Sequence, residues 1–376
     1  MVEGENLSPI QEASANGKTA AVQLLVQHGA DVESTTSTTP LTPLLLACQN
    51  RRRDTFKALV QLGANVEAAN NEAGIITALQ AAAQKNLLLI DKDFLSLVNK
   101  QAQLHHTGDT ILHLAAAYGI DYAILHFLNQ TQPAVHLETR NHAGYTPLLR
   151  AASTGSPKTL QHLIKHGANT TAALPNGSTA LHIAASRKDR DRSTTRAILT
   201  HLIISASCPL EATDAQGNTA LHLAILSNNL ATATLLLSHG ANHDAHNSSG
   251  NTPLHLASVG TQTTPLVSAL LRAGADPNAP NSTGDTPLHS ALRSNPAPES
   301  VVWTILAHGG DLDQGNEAGE TGRGICRDLV EGGAGEGMRE LVWSREKVKR
   351  MRVLEGRSRG DVRLFRDGKG DGGVVG

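Results

Sequence analysis

The chain has 376 residues, a formal net charge of -2, and only four Phe, three Tyr and two Trp. So nearly neutral a protein offers no general attraction to nucleic acid or to an acidic membrane surface, and a charged partner would have to be met locally. Its three cysteines, Cys48, Cys208 and Cys326, lie far apart without paired spacing, which argues for reduced thiols over a disulfide framework.

In chain order, one segment of about 33 residues recurs. Copies open at Ser8-Pro9-Ile10, Thr42-Pro43-Leu44, Thr77-Ala78-Leu79, Thr110-Ile111-Leu112 and Thr146-Pro147-Leu148. The fullest copies follow: Gly177-Ser178-Thr179-Ala180-Leu181-His182, Gly217-Asn218-Thr219-Ala220-Leu221-His222, Gly250-Asn251-Thr252-Pro253-Leu254-His255 and Gly284-Asp285-Thr286-Pro287-Leu288-His289. Most are answered some twenty residues later by a turn such as His166-Gly167-Ala168-Asn169. Nine units fall between residues 8 and 313. Regularity of this kind predicts a solenoid in which repeats, not globular domains, are the unit of folding.

Each unit predicts two short helices. Thr146 can cap the first, Pro147 fits its first turn, and Leu148, Ala151 and Ala152 form one apolar stripe. Leu160, Leu163 and Ile164 repeat the stripe on the second helix, which Gly167 ends. Linkers such as Asp214-Ala215-Gln216-Gly217, Asn247-Ser248-Ser249-Gly250 and Asn281-Ser282-Thr283-Gly284 carry turn chemistry and should project as fingers. One buried Leu contributes only about 1.5–3 kcal/mol, so a helix pair must draw stability from its neighbours.

Several stretches depart from the period. The third unit, from Thr77, lacks a Gly-Ala-Asp close near Asn99-Lys100-Gln101, and the next ends in Asn129-Gln130-Thr131-Gln132-Pro133. The unit at Thr179 is about seven residues too long, with Arg187 to Arg192 set between its helices and expected to be a solvated loop. Residues 314–343 read as a degenerate C-terminal cap to a solenoid spanning 1–343, and 344–376 as a basic, Gly-rich, disordered tail. Within the tail, Lys347-Val348-Lys349-Arg350-Met351-Arg352 could alternatively serve nuclear import.

The recurring Thr-Pro-Leu-His-x-Ala block and its Gly-Ala-Asn/Asp turn resemble the ankyrin repeat from about Ser8 to Asp313. The resemblance implies an all-α ankyrin-repeat solenoid of helix-turn-helix units with projecting β-turn fingers. It also implies a non-enzymatic scaffold or adaptor that binds a protein through the concave groove. The partner-contacting positions would be Tyr145, Ser153 and Thr154; Gln216, Asn218, Leu226 and Ser227; Asn251 and Val259; and Asp285 and Arg293. Tyr118 and Tyr145 stand out as anchors in a chain so poor in aromatics. The alternative is a substrate-recruiting or regulatory subunit of an enzyme complex such as a ubiquitin ligase, although no adaptor box is recognisable.

Signals for other chemistry are weak. His239, His243 and His246 with Asp244 have spacing that could converge on zinc, but a closing turn and a finger normally diverge and no thiolate assists. Gly17-Lys18-Thr19 resembles the end of a phosphate loop, yet Glu12 stands where the earlier glycine belongs. No nucleophile elbow occurs. The triplet Arg51-Arg52-Arg53 falls in an interhelix turn, where charge is usually solvated but could grip an acidic partner segment. The expectation is a monomeric cytoplasmic protein, with the nucleus as the alternative, that needs no cofactor or metal and meets a protein partner. With neither a secretory signal nor a run of ~18 apolar residues, no membrane is expected, and no nucleic acid.

Overall fold

The computed structural model describes residues 7–36, 41–65, 107–130, 137–154, 156–187, 192–260, 263–294 and 297–331. The unit opening at Thr77, most of the Arg187–Arg192 insertion and the tail from 344 lie outside them. The chain divides into two compact units, residues 1–184 with 193–208, and residues 185–192 with 209–376.

In the first unit the helices come in pairs: α1 (Pro9–Ala15) with α2 (Thr19–Gln27), and α3 (Pro43–Gln49) with α4 (Arg53–Gln61). After them come α5 (Ile111–Tyr118) with α6 (Asp121–Gln130), and α7 (Pro147–Thr154) with α8 (Pro157–Lys165). The first helices pack on each other, α1 on α3 and α5 on α7, and so do the second helices, α2 on α4 and α6 on α8. Leu44, Leu45, Phe56, Leu59, Leu148, Leu149, Leu160 and Leu163 are buried between them. Then α9 (Ala180–Ala185) and α10 (Arg192–Thr200) follow, α10 running on into a π-helical turn, His201–Ser205.

The second unit repeats the arrangement. Here α11 (Ala220–Leu226) pairs with α12 (Leu230–Ser238), α13 (Pro253–Ser258) with α14 (Thr264–Ala273), and α15 (Pro287–Leu292) with α16 (Glu299–Ala307). A last first helix, α17 (Gly322–Glu331), packs on α15 and buries Ile325 and Cys326. Thus part of the segment read as a degenerate cap carries a full finger and helix.

The threonine caps act as the sequence suggests, with a refinement. Where no histidine follows, Thr42 and Thr146 Oγ1 accept the backbone N–H groups of Leu45 and Leu149, both at 3.3 Å. Where one does, the ring joins the cap: Nδ1 of His222, His255 and His289 accepts the N–H of Thr219, Thr252 and Thr286 at 3.1–3.2 Å. A backbone N–H can only donate, so the ring proton sits on Nε2. That nitrogen donates to the carbonyl of Asn251, Asp285 and Glu320 in the next repeat, at 3.1, 2.8 and 3.0 Å. His113 does the same toward Tyr145 O at 2.8 Å in the first unit. Burial, the largest influence, lowers the pKa of His113, His222 and His255, against their carbonyl bonds, which raise it. The neutral ring is therefore the structural form.

A candidate protein-interaction surface

The fingers opening at Asn141, Asp214, Asn247, Asn281 and Asn316 are Asx turns closed by a glycine, and the one at Leu174 has the same backbone turn without the side-chain bond. In the finger of residues 281–285, Asn281 Oδ1 accepts the N–H groups of Thr283 and Asp285 at 3.0 and 2.9 Å, and Gly284 holds φ +76°. Neighbouring fingers are joined by backbone: Ser248 N–H donates to Gln216 O at 2.9 Å, and Ser282 N–H to Ser249 O at 3.3 Å. At Gly250 an added Cβ would stand 2.4 Å from Ser282 N, so this close approach requires glycine.

Two rows of side-chain bonds run across the fingers. In the first, Asn141 Nδ2 donates to Asp109 Oδ1 (2.7 Å), Asn247 Nδ2 to Asn218 Oδ1 (3.0 Å), Asn281 Nδ2 to Asn251 Oδ1 (2.9 Å) and Asn316 Nδ2 to Asp285 Oδ1 (2.8 Å). In the second, an acceptor on the segment leading to one finger takes a backbone N–H from the matching segment of the next repeat. Glu138 takes it from Asn169 (2.7 Å), Glu211 from Asn242 (2.8 Å), Asp244 from Asp276 (3.0 Å) and Asn278 from Asp311 (2.8 Å).

These rows sort the anticipated contact positions. Asn218 and Asp285 are buried and Asn251 half-buried, all engaged in the first row. Arg293, at the end of α15, pairs with both Asp285 and Glu320. Burial raises the Asp285 carboxyl, but the Asn316 amide and Arg293 together outweigh it and hold the group below its usual range. Those residues knit repeats together, which narrows what a partner can reach. Gln216 remains exposed at a fingertip.

At the ends of the first helices the surface is open and apolar. Leu226 is 57% exposed and Val259 53%, on α11 and just beyond the packed neighbour α13. Leu223 and Leu256, three residues earlier, are half-buried beneath them. Those two escaped the sequence reading because the position varies among repeats, although a three-residue step from an exposed Leu marks the same helix face. Ser227, beside Leu226, donates through Oγ to Ser186 O at 3.1 Å.

In the first unit the two tyrosines do not form one anchor. Thr154 Oγ1, at the end of α7, donates to Ala116 O near the end of α5, while His113 near its start bonds Tyr145 O. The helices are therefore parallel, with Tyr118 at one end and Tyr145 at the other, about 12 Å apart by helical rise. Tyr118 is 38% exposed. Tyr145 is half-buried, with the Arg150 guanidinium 5.8 Å from its ring centre. Ser153 Oγ donates to Arg150 O at 2.8 Å.

The other candidates disperse. His239 and His246 donate through Nδ1 to separate carbonyls, Leu235 O at 2.9 Å and Gly250 O at 2.7 Å. No group of three His, Cys, Asp or Glu side chains converges among the described residues. At Gly17-Lys18 the amides donate to Ser14 O and Ala13 O, so they are not free to cradle phosphate. Cys48, Cys208 and Cys326 are buried thiols in no disulfide, and burial raises the pKa of Cys208 and of Cys326, the latter to about 11.

Paired short helices, glycine-closed fingers and capping histidines define an ankyrin-repeat protein, and the chain belongs to that family. The family described as ankyrin repeats (3 copies) matches residues 2–70, 78–173, 113–199, 148–247 and 240–316. Mouse NF-kappa-B inhibitor delta is 32% identical over 262 residues, which span 62% of this chain and 77% of that protein. Human neurogenic locus notch homolog protein 1 is 35% identical over 143 residues, 38% of this chain but 5% of its own length. The crystal structure of the ankyrin repeat domain of Bcl-3, a member of the IkappaB family, superposes with a TM-score of 0.53 at 31% identity, covering 58% of this chain and 94% of that domain. These likenesses support a protein-interaction adaptor or regulator and indicate no catalytic family. Among the described residues no helix is long and apolar enough to cross a membrane.

Proposed function

We propose that this protein is a non-enzymatic regulator that binds a protein partner in the concave groove lined by the fingers and first helices. The observation that carries the reading is the exposed apolar pair Leu226 and Val259 on adjacent repeats, backed by half-buried Leu223 and Leu256. Exposed aliphatic side chains in register on a rigid scaffold are the kind of surface that a partner desolvates. The similarity to an NF-kappa-B inhibitor and to a member of the IkappaB family supports a transcription factor of the NF-kappa-B type as the partner, and an intracellular location.

Binding of purified NF-kappa-B to the full chain and to Leu226→Asp/Val259→Asp tests both levels. A loss of at least about tenfold in affinity with an unchanged melting temperature is expected. Equal affinity of the two proteins sinks the groove assignment. Failure of NF-kappa-B to bind, with another protein captured only by the unsubstituted chain, removes the named partner and leaves the groove standing.

A further inference from the structure

The turns joining α1 to α2 and α3 to α4 bring four cations to one edge of the first unit. Lys18, Arg51, Arg52 and Arg53 are all exposed. The two turns touch: Arg52 Nε donates to Ala15 O at 3.0 Å, and Thr19 Oγ1 lies 2.8 Å from Thr55 Oγ1. None of the four is ion-paired among the described residues. The acids near them are Asp54, in the first turn of α4, and Glu12 on α1, both exposed.

Apart from the Arg52 bond to Ala15 O, the fold gains little from these cations. Lys18 and Arg52 occupy the cap positions of α2 and α4 without a side-chain bond to either helix, and cations there oppose the helix dipole. Among the equivalent cap positions, Asn229 accepts Thr232 N–H at 3.1 Å, Ser156, Thr263 and Pro298 make no side-chain cap bond, and none of these four is a cation. Arg51 holds φ +56°, a conformation filled by Gly17, Gly119 and Asn228 in the equivalent turns. Arg52 ties the two turns together, while Lys18, Arg51 and Arg53 are exposed cations with no ion pair among the described residues, so the edge keeps its positive charge.

We propose that this edge is a second contact surface, separate from the apolar groove, that takes an acidic segment of a protein. Adjacent helices lie about 8–10 Å apart, the reach of about three extended residues, so cations on successive turns suit carboxylates spaced along an extended strand. Phosphoserine could supply the same anionic chemistry as glutamate or aspartate.

Fluorescence anisotropy on the full chain tests it, with labelled oligoglutamate, a phosphoserine-containing peptide and oligoglutamine as probes. Either acidic peptide should bind at least about tenfold tighter than oligoglutamine and weaken between ~50 and ~300 mM salt. Their ratio identifies carboxylate or phosphate as the preferred source. Lys18→Gln/Arg51→Gln/Arg53→Gln should lose most of this binding while melting normally, and Arg53→Gln alone should show part of the loss if the triple variant is unstable. Leu226→Asp should leave it intact, which separates this surface from the groove. Undiminished binding by the charge-neutralised chains overturns the proposal. So does no preference for acidic peptides, or tighter binding of single-stranded RNA than of either.

Discussion

Asn281 Nδ2 donates to Asn251 Oδ1 at 2.9 Å, while Asn281 Oδ1 holds its own finger through Thr283 and Asp285. One side chain thus closes a turn and joins it to the preceding repeat. Asn281→Ala should cost about 2–3 kcal/mol, since several polar groups lose their partner at once. Asn281→Asp keeps the turn but replaces the donor with an acceptor facing Asn251, and should cost less, about 1 kcal/mol. Urea melts of the two variants check the order.

Acid should loosen the repeats through their histidines. The folded pKa values of His113, His222 and His255 are lowered, so below the unfolded value of about 6.5 the unfolded chain binds more protons. Stability should be full above about pH 7.5 and fall as pH drops through 6.5, by up to about 1.4 kcal/mol per unit for each histidine until its folded pKa is reached. His255→Gln should lower the maximum and flatten the slope by one histidine's share. Denaturant midpoints across that window settle the sign.

Ser207 holds φ +47° at the turn position where the other repeats place Gly167 or Gly240. Ser207→Gly should therefore stabilise the protein, by about 0.5–1 kcal/mol. The reverse experiment separates two costs. At Gly240 nothing lies within 4 Å of an added Cβ, so Gly240→Ala should cost about 1 kcal/mol for conformation alone. Gly250→Ala should cost clearly more, because it also drives a methyl into Ser282 N. Thermal melts rank the three.

Native protein should resist thiol reagents. All three cysteines are buried, and the Cys326 thiol is pushed up to about 11, leaving little thiolate near neutral pH. Disulfide-exchange labelling is expected to be slow in buffer and to reach all three thiols in urea. Fast labelling of Cys326 in the native state would contradict its placement.

Local chemistry made most of the fold legible before any coordinates. Thr146-Pro147, the Leu/Ala stripes and Gly167 are signals contained within one repeat, and each acts where its spacing says. Beyond the motif histidines, side-chain relations between repeats are not legible. Asn218, Asn251 and Asp285 look like variable, polar fingertip residues, yet their partners Asn247, Asn281 and Asn316 lie about thirty residues away. Arg293 likewise reads as a free surface charge until Glu320 is brought beside it. Tyr118 and Tyr145 share an aromatic character but not a location, because the first depends on where a helix ends and the second on where one begins. Ser207 and the π-helical turn before it replace glycine chemistry with a strained substitute, which no residue pattern announces.

The rows of finger bonds have an evolutionary consequence. Consecutive repeats from Asn218 to Asn316 each offer an acceptor at one edge and a donor at the other, so a duplicated or deleted stretch of one full period there joins a donor to an acceptor at the new seam. A break at any other phase strands one half of a bond on each side. Gene rearrangements that preserve the period can therefore lengthen or shorten such a chain while leaving the chemistry of every junction intact.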